Sequence, residues 1–165
     1  MFAVIDRLRK LTVADVMVTS VVQITSGHTM GQVAGQFRSH DISSAPVVDE
    51  QGRCVGMLSA ADYLKRDIPH PAAGEQASEA HGVLAAGGET GQSRETVACF
   101  MTSPIRSIAA NASLLEAGRL MCTAHIHRLP VLDGEEVVGV VSTTDIVAAM
   151  LDAVDELDAN RPVEF

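Results

Sequence analysis

Apolar and polar positions fall into two rhythms along this chain, and the rhythms occur twice in the same order. Val21 to Ile24 is a short apolar run and predicts a strand. Thr29 to His40 sets Met30, Val33, Ala34 and Phe37 at helical spacing and predicts a helix with one buried face. Pro46-Val47-Val48-Asp49 reads as a strand opening on proline. Gln51-Gly52 supplies a turn, Cys54 to Leu58 a return strand, and Ser59 the start of a second helix. The same order then recurs: strand Ile105 to Ile108, helix Ser113 to Ala124 with Leu114, Ala117 and Met121 on one face, strand Pro130 to Asp133, turn Gly134-Glu135, strand Val137 to Val141, and a helix opening at Ser142. Ser113 and Glu116 have the spacing of a capping box. Both ends read as helical. Val4, Ile5 and Leu8 form one stripe; Ile146, Val147, Met150, Ala153, Val154 and Leu157 form another, suited to internal packing or to self-association.

The repeat is visible residue by residue. Met17, Ile24, Ile42, Pro46 and Asp49 fall on Met101, Ile108, Ile126, Pro130 and Asp133 at an offset of 84. Gly56, Ser59 and Asp62 fall on Gly139, Ser142 and Asp145 at 83, one residue having been dropped in a turn. A copy of roughly 55 residues without disulfide or metal is too small to be stable alone, so the copies must bury their apolar faces against each other. That predicts a pseudo-twofold body with a groove on either side of the seam. The expected division is 1–66, first copy with its leading helix; 67–95, insert; 96–165, second copy with its closing helix. The insert holds five of the thirteen glycines with Pro69 and Pro71, a linker composition, with room for one short helix at Ser78 to Ala86. It reads as a tether or a flap over a groove.

Composition narrows the function. Hydrophobic residues make up 47% of the 165, enough for a packed core, while aromatics are 3%, so Val, Ile, Leu, Met and Ala must fill it. A formal charge of −9 repels phosphate backbones, and aromatic stacking platforms are lacking; nucleic acid is excluded as a partner. No apolar run is long enough for a membrane span. The opening segment breaks into charge at Asp6 and Arg7, which leaves no signal core, so the expectation is a soluble, cytoplasmic protein. Cys54, Cys99 and Cys122 form no CxxC pair and read as reduced, structural thiols.

Several segments then fit one known pattern. Asp15-Val16-Met17, Ile42-Ser43-Ser44-Ala45-Pro46-Val47-Val48-Asp49 and Gly56-Met57-Leu58-Ser59-Ala60-Ala61-Asp62 resemble a cystathionine beta-synthase (CBS) domain. So do His127-Arg128-Leu129-Pro130-Val131-Leu132-Asp133 and Gly139-Val140-Val141-Ser142-Thr143-Thr144-Asp145. Together they resemble a tandem CBS pair, or Bateman module, standing alone. The resemblance implies an α+β fold of two pseudo-symmetric β-α-β-β-α repeats packed sheet to sheet. It also implies a non-catalytic regulatory module that senses an adenosine-containing ligand in the cleft between the repeats, as a homodimer, and passes a conformational change to an unidentified partner.

The residues themselves leave two readings of Ser142-Thr143-Thr144-Asp145. It is a capping box in its own right. It also offers an anion a helix start and hydroxyls, with a carboxylate able to accept from two ribose hydroxyls. The resemblance makes Asp145 the ribose contact and sets His127 and Arg128 beside the ligand phosphates. It draws the adenine slot from Val22, Ile42 and Ser43. The stronger site is therefore expected at His127, Arg128, Ser142, Thr144, Asp145, Val22, Ile42 and Ser43. A weaker one is expected at Ser59, Asp62 and Ile126, because Ala61 replaces Thr144, and Ser43-Ser44 replace His127-Arg128. The ligand would be an adenine nucleotide (AMP, ADP or ATP) at the first and a less charged adenosyl compound such as S-adenosylmethionine at the second. No obligatory cofactor is expected. His125 and His127 lack a spaced carboxylate or thiolate, so no metal site is expected. No nucleophile has a paired base, and Ser142 lies in no G-x-S-x-G elbow, so catalysis is not expected. The alternative is a structural or dimerisation module whose clefts stay unoccupied.

Overall fold

A computed structural model describes residues 2–66 and 96–159. The expected insert, its short helix and the tail after 159 lie outside the described residues. Helix α1 (Phe2–Lys10) leads into a 3-10 turn at Val13–Asp15. The first copy follows as β1 (Ile24–Thr25), α2 (Met30–Ser39), β2 (Ser44–Val48), β3 (Cys54–Ser59) and α3 (Ala60–Arg66). A second 3-10 turn at Val97–Cys99 precedes β4 (Ile108–Ala109), α4 (Leu114–Ala124), β5 (Arg128–Asp133), β6 (Glu136–Ser142) and α5 (Thr143–Ala159). Each copy is a three-stranded sheet, β1-β2-β3 or β4-β5-β6, with the first strand parallel and the last antiparallel to the central one. The mixed α and β content and the β-α-β-β-α order are those expected.

Several boundaries differ, each for a physical reason. The opening strands are shorter and later than the runs Val21–Ile24 and Ile105–Ile108, because ladder pairing begins only at Ile24 opposite Val47 and at Ile108 opposite Val131. Pro46 and Pro130 do not open their strands; they lie inside them. Pro46 faces Met57, whose N–H and carbonyl both bond Thr102 instead, at 3.2 and 2.8 Å. The proline's missing donor therefore points away from β3, to the side where β1 pairs only from Val47 onward. Pro130 sits opposite Val140 in the same way, and Val140 exchanges both bonds with Val18.

The helix caps follow short-range chemistry. Thr29 and Gln32 form a full capping box: the Gln32 N–H donates to Thr29 Oγ1 at 3.3 Å and the Thr29 N–H to Gln32 Oε1 at 2.9 Å. At Ser113 the hydroxyl accepts from the Glu116 N–H at 3.1 Å. Helices α2 and α4 both end on a left-handed residue, Asp41 (φ 51°) and His125 (φ 53°). The next N–H turns back onto the helix, from Ile42 to Phe37 at 3.0 Å and from Ile126 to Met121 at 3.1 Å. That reversal packs Ile42 and Ile126 against their cores and aims the following residues at the seam.

The cores are interleaved. Ile24, Met30, Val33, Phe37, Val47 and Leu58 form the first, closed by Val97 with Phe100 and Met101 from the second copy's leading turn. Ile108, Ala117, Met121, Leu129, Val131 and Val141 form the second, closed by Val13 with Val16 and Met17 from the first. Backbone bonds pin each visitor: Val13 to Ala112 at 2.9 Å and Ala14 to Ala110 at 2.8 Å, and correspondingly Val97 to His28 at 2.9 Å and Ala98 to Ser26 at 3.2 Å. Glycine is required where the visitors cross the sheets. A Cβ on Gly56 would stand 2.6 Å from the Met101 sulfur and 3.1 Å from the Thr102 carbonyl oxygen. On Gly139 it would stand 2.7 Å from the Met17 sulfur and 3.2 Å from the Val18 carbonyl oxygen.

Helix α5 carries two apolar faces rather than the single stripe expected. Ala149 and Ala153 are buried and Ile146 packs on the second core, small residues letting α1 lie close. Val147, Met150, Leu151 and Val154 face outward. Arg7 and Glu156 pair where α1 crosses α5.

Replacing Gly56 with alanine should destabilise the protein by about 1–3 kcal/mol, because the Thr102 backbone must shift; a urea midpoint equal to wild type would count against the crossing. Asp15 accepts from the Thr12 N–H and hydroxyl, both at 2.7 Å, and these bonds, the backbone one first, hold its carboxyl below the usual value of 3.8. A lowered carboxylate stabilises above its unfolded pKa and loses that contribution as pH falls through the folded value. Asp15→Asn should therefore lower the urea midpoint at pH 7, and the gap to wild type should shrink in strong acid. A gap that does not change with pH would contradict this.

Candidate functional site

The two copies line an open cleft of about 710 Å³, a size suited to a small organic ligand. One wall is the β3–α3 junction, with Ser59, Ala60, Ala61 and Asp62. A further wall is the loop after the second 3-10 turn, with Thr102, Pro104, Ile105 and Arg106. The α4–β5 connection brings Ala124, His125, Ile126, His127 and Arg128, and the start of α5 brings Ser142, Thr143 and Thr144. Ser43, Ser44 and Met57 complete the lining.

The chain is shaped locally to build these walls. The left-handed turn at His125 ends α4 and lays Ile126 and His127 along the hollow. The carbonyl of His127 then accepts from the Thr143 N–H at 3.0 Å, and that of Ser43 from the Ala60 N–H at 2.8 Å. Each helix start is thus hung from the segment just before the central strand of its own sheet.

Both Ser-x-x-Asp motifs are closed as caps. Asp62 accepts through Oδ2 from the Ser59 N–H (2.8 Å) and hydroxyl (2.7 Å), and Asp145 does the same with Ser142, both at 2.7 Å. The capping box is complete at α5, where the Asp145 N–H also donates to Ser142 Oγ at 3.2 Å. Asp62 is 2% exposed and lines the hollow; Asp145 is part-buried and does not.

Of the residues expected at the stronger site, His127, Arg128, Ser142, Thr144 and Ser43 meet in this hollow, whereas Val22, Ile42 and Asp145 lie outside its lining. Ser59, Asp62 and Ile126, expected at a weaker and less charged site, line the same hollow as His127 and Arg128. The cations expected beside Asp145 thus stand on the Asp62 side, because the residues leading into β5 reach across the seam. Arg106 adds a further cation. It was legible in principle: shifting the expected slot residues Val22, Ile42 and Ser43 by 84 gives Arg106, Ile126 and His127. The apolar part of the lining is Ile105, Ile126, Pro104 and Met57. Arg128 Nη1 donates to Ser43 Oγ at 2.7 Å and to Ser44 Oγ at 2.8 Å.

No group of three or more metal-ligating side chains occurs among the described residues, nor does any helix there have the length and apolarity to cross a membrane. The family model described as CBS domain matches twice, over residues 13–68 and 97–152. The chain belongs to the CBS domain family.

Both matches begin at the 3-10 turn that enters the other copy's core, so the family's repeat unit includes the exchanged segment. The CBS domain-containing protein YhcV of Bacillus subtilis is 30% identical over 135 residues, covering 82% of each chain. An uncharacterized protein of Methanocaldococcus jannaschii, MJ1404, is 26% identical over 145 residues; the match takes in 88% of this chain and 33% of that one, so this chain spans about a third of that relative. Among solved structures, the CBS domain pair of protein MJ0100, in complex with 5′-methylthioadenosine and S-adenosyl-L-methionine, superposes with a TM-score of 0.67 at 21% identity, covering 86% of this chain and 97% of that one. CBSX2 in complex with AMP gives 0.63 at 19% identity, covering 86% and 96%. At such identities the likeness is one of fold.

Proposed function

We propose that this CBS pair is a non-catalytic regulatory module that binds a phosphorylated adenosine compound in the hollow beside Asp62. The observation that carries the reading is the convergence of Arg106, Arg128 and His127 with an apolar slot on one hollow, in a chain of net charge −9. Purine rings fit the Ile105, Ile126, Pro104 and Met57 surface. The guanidinium groups match phosphate oxygens, and the start of α5 adds its dipole and the hydroxyls of Ser142 and Thr144. The adenosyl ligands named for MJ0100 and CBSX2 support the adenosine part. The same cations disfavour S-adenosylmethionine, a sulfonium, in this hollow. Occupancy would draw the two copies together at the seam and offer a partner protein an altered surface.

Pairing of two copies is part of the same reading. Val147, Met150, Leu151 and Val154 are between 46% and 59% exposed and recur at helical spacing, a row that a second copy could cover.

In a thermal-shift series, ADP should raise Tm, with adenosine and S-adenosylmethionine giving little. Arg106→Gln and Arg128→Gln should each weaken ADP binding by about tenfold or more. Silence from every adenosine compound would favour the structural module with unoccupied clefts. In sedimentation runs, Val147→Glu/Leu151→Glu should turn a dimer into a monomer; an unchanged dimer would exclude this face.

A further inference from the structure

No carboxylate among the described residues pairs with Arg128: the ion pairs among them are Arg7–Glu156 and Arg53–Asp49. Its guanidinium donates instead to two neutral hydroxyls, Ser43 Oγ at 2.7 Å and Ser44 Oγ at 2.8 Å. These serines hold, in the first copy, the places that His127 and Arg128 hold in the second, at the offset of 84. The guanidinium therefore crosses the seam to its own counterpart. A hydroxyl is a weaker partner for a guanidinium than an anionic oxygen pair, which matches its fork and opposes its charge. All three residues line the hollow, and both bonds leave from Nη1, so an anion there finds that nitrogen of the fork already taken by the serines.

We propose that Ser43 and Ser44 form a latch that holds Arg128 across the seam in the ligand-free protein, and that an anionic ligand must draw the guanidinium off them to bind at full strength. The proposal rests on the reading of this hollow as an anion site. Two consequences follow from it. The serine pair lowers affinity for the anion, since its bonds with Arg128 are given up on binding. The release is also felt at α3, because Ser43 holds the Ala60 N–H through its carbonyl at 2.8 Å. Ligand charge is thereby converted into a change where the two copies meet.

The test uses the full chain as wild type, Ser43→Ala/Ser44→Ala, Arg128→Gln and the triple variant. Calorimetry is run with ADP and with pyrophosphate, and urea unfolding without ligand. The serine variant should bind ADP about threefold more tightly or better, and Arg128→Gln about tenfold more weakly. In the Arg128→Gln background the serine substitutions should change nothing. Without ligand, the serine and arginine effects on the urea midpoint should be non-additive, the signature of a direct bond. Weaker ADP binding by the serine variant would make the hydroxyls ligand contacts and overturn the latch while leaving the anion site standing. Additive urea effects would also overturn it. A non-additive urea cycle with neither ADP nor pyrophosphate binding to any variant would overturn the anion site, and the latch's release with it.

Discussion

Val13 and Val97 are both wholly buried, and each completes the core of the copy to which it does not belong by sequence. Everything else in the fold depends on this reciprocal insertion. It needs a sheet surface without side chains where the visiting turn crosses, which Gly56 and Gly139 provide. It needs central strands that can dispense with one ladder bond, and Pro46 and Pro130 sit where their missing N–H faces away from β3 and β6, whose residues opposite them bond the visitor instead. Glycine and proline, usually signs of weak strand structure, here mark where the two halves are tied.

The same tie positions the hollow. The chain bonded to Met57 at Thr102 runs directly into Pro104, Ile105 and Arg106, so that wall of the hollow is set by the crossing. The left-handed turn at His125 sets the adjoining wall. A binding surface assembled from both copies responds to any change in their relation, which is the physical basis for reading this CBS pair as a sensor.

Much of this was legible in the sequence, and what was not has identifiable causes. The offset of 84 exposed the duplication, and local periodicity placed α2, α4 and the hairpins, because buried faces and caps are short-range properties. Val21 and Val22 looked like strand, yet neither joins the ladder, which begins at Ile24 opposite Val47. The exchange of turns left no periodic trace, since Val13 and Val97 would be apolar in either copy. Asp62 and Asp145 were recognised, but which of them borders the charged hollow depends on the reach of Arg128 and Arg106 across the seam. The two copies also differ where the repeat is imperfect. Asp15 closes a capping box on Thr12, while the matching Cys99 meets Thr96 through a long sulfur contact of 3.7 Å.

Interleaving also bears on how such a chain is made. As the polypeptide emerges from the ribosome, strands β1 to β3 are complete long before Val97 and Met101 have been synthesised, and the first core has an open side until they arrive. Meanwhile Val13 and Met17 await a β-sheet that is translated last. The first core can therefore close once Val97 to Met101 have emerged, whereas Val13 and Met17 find their sheet only after β6, so burial of the leading turn is the later of the two steps.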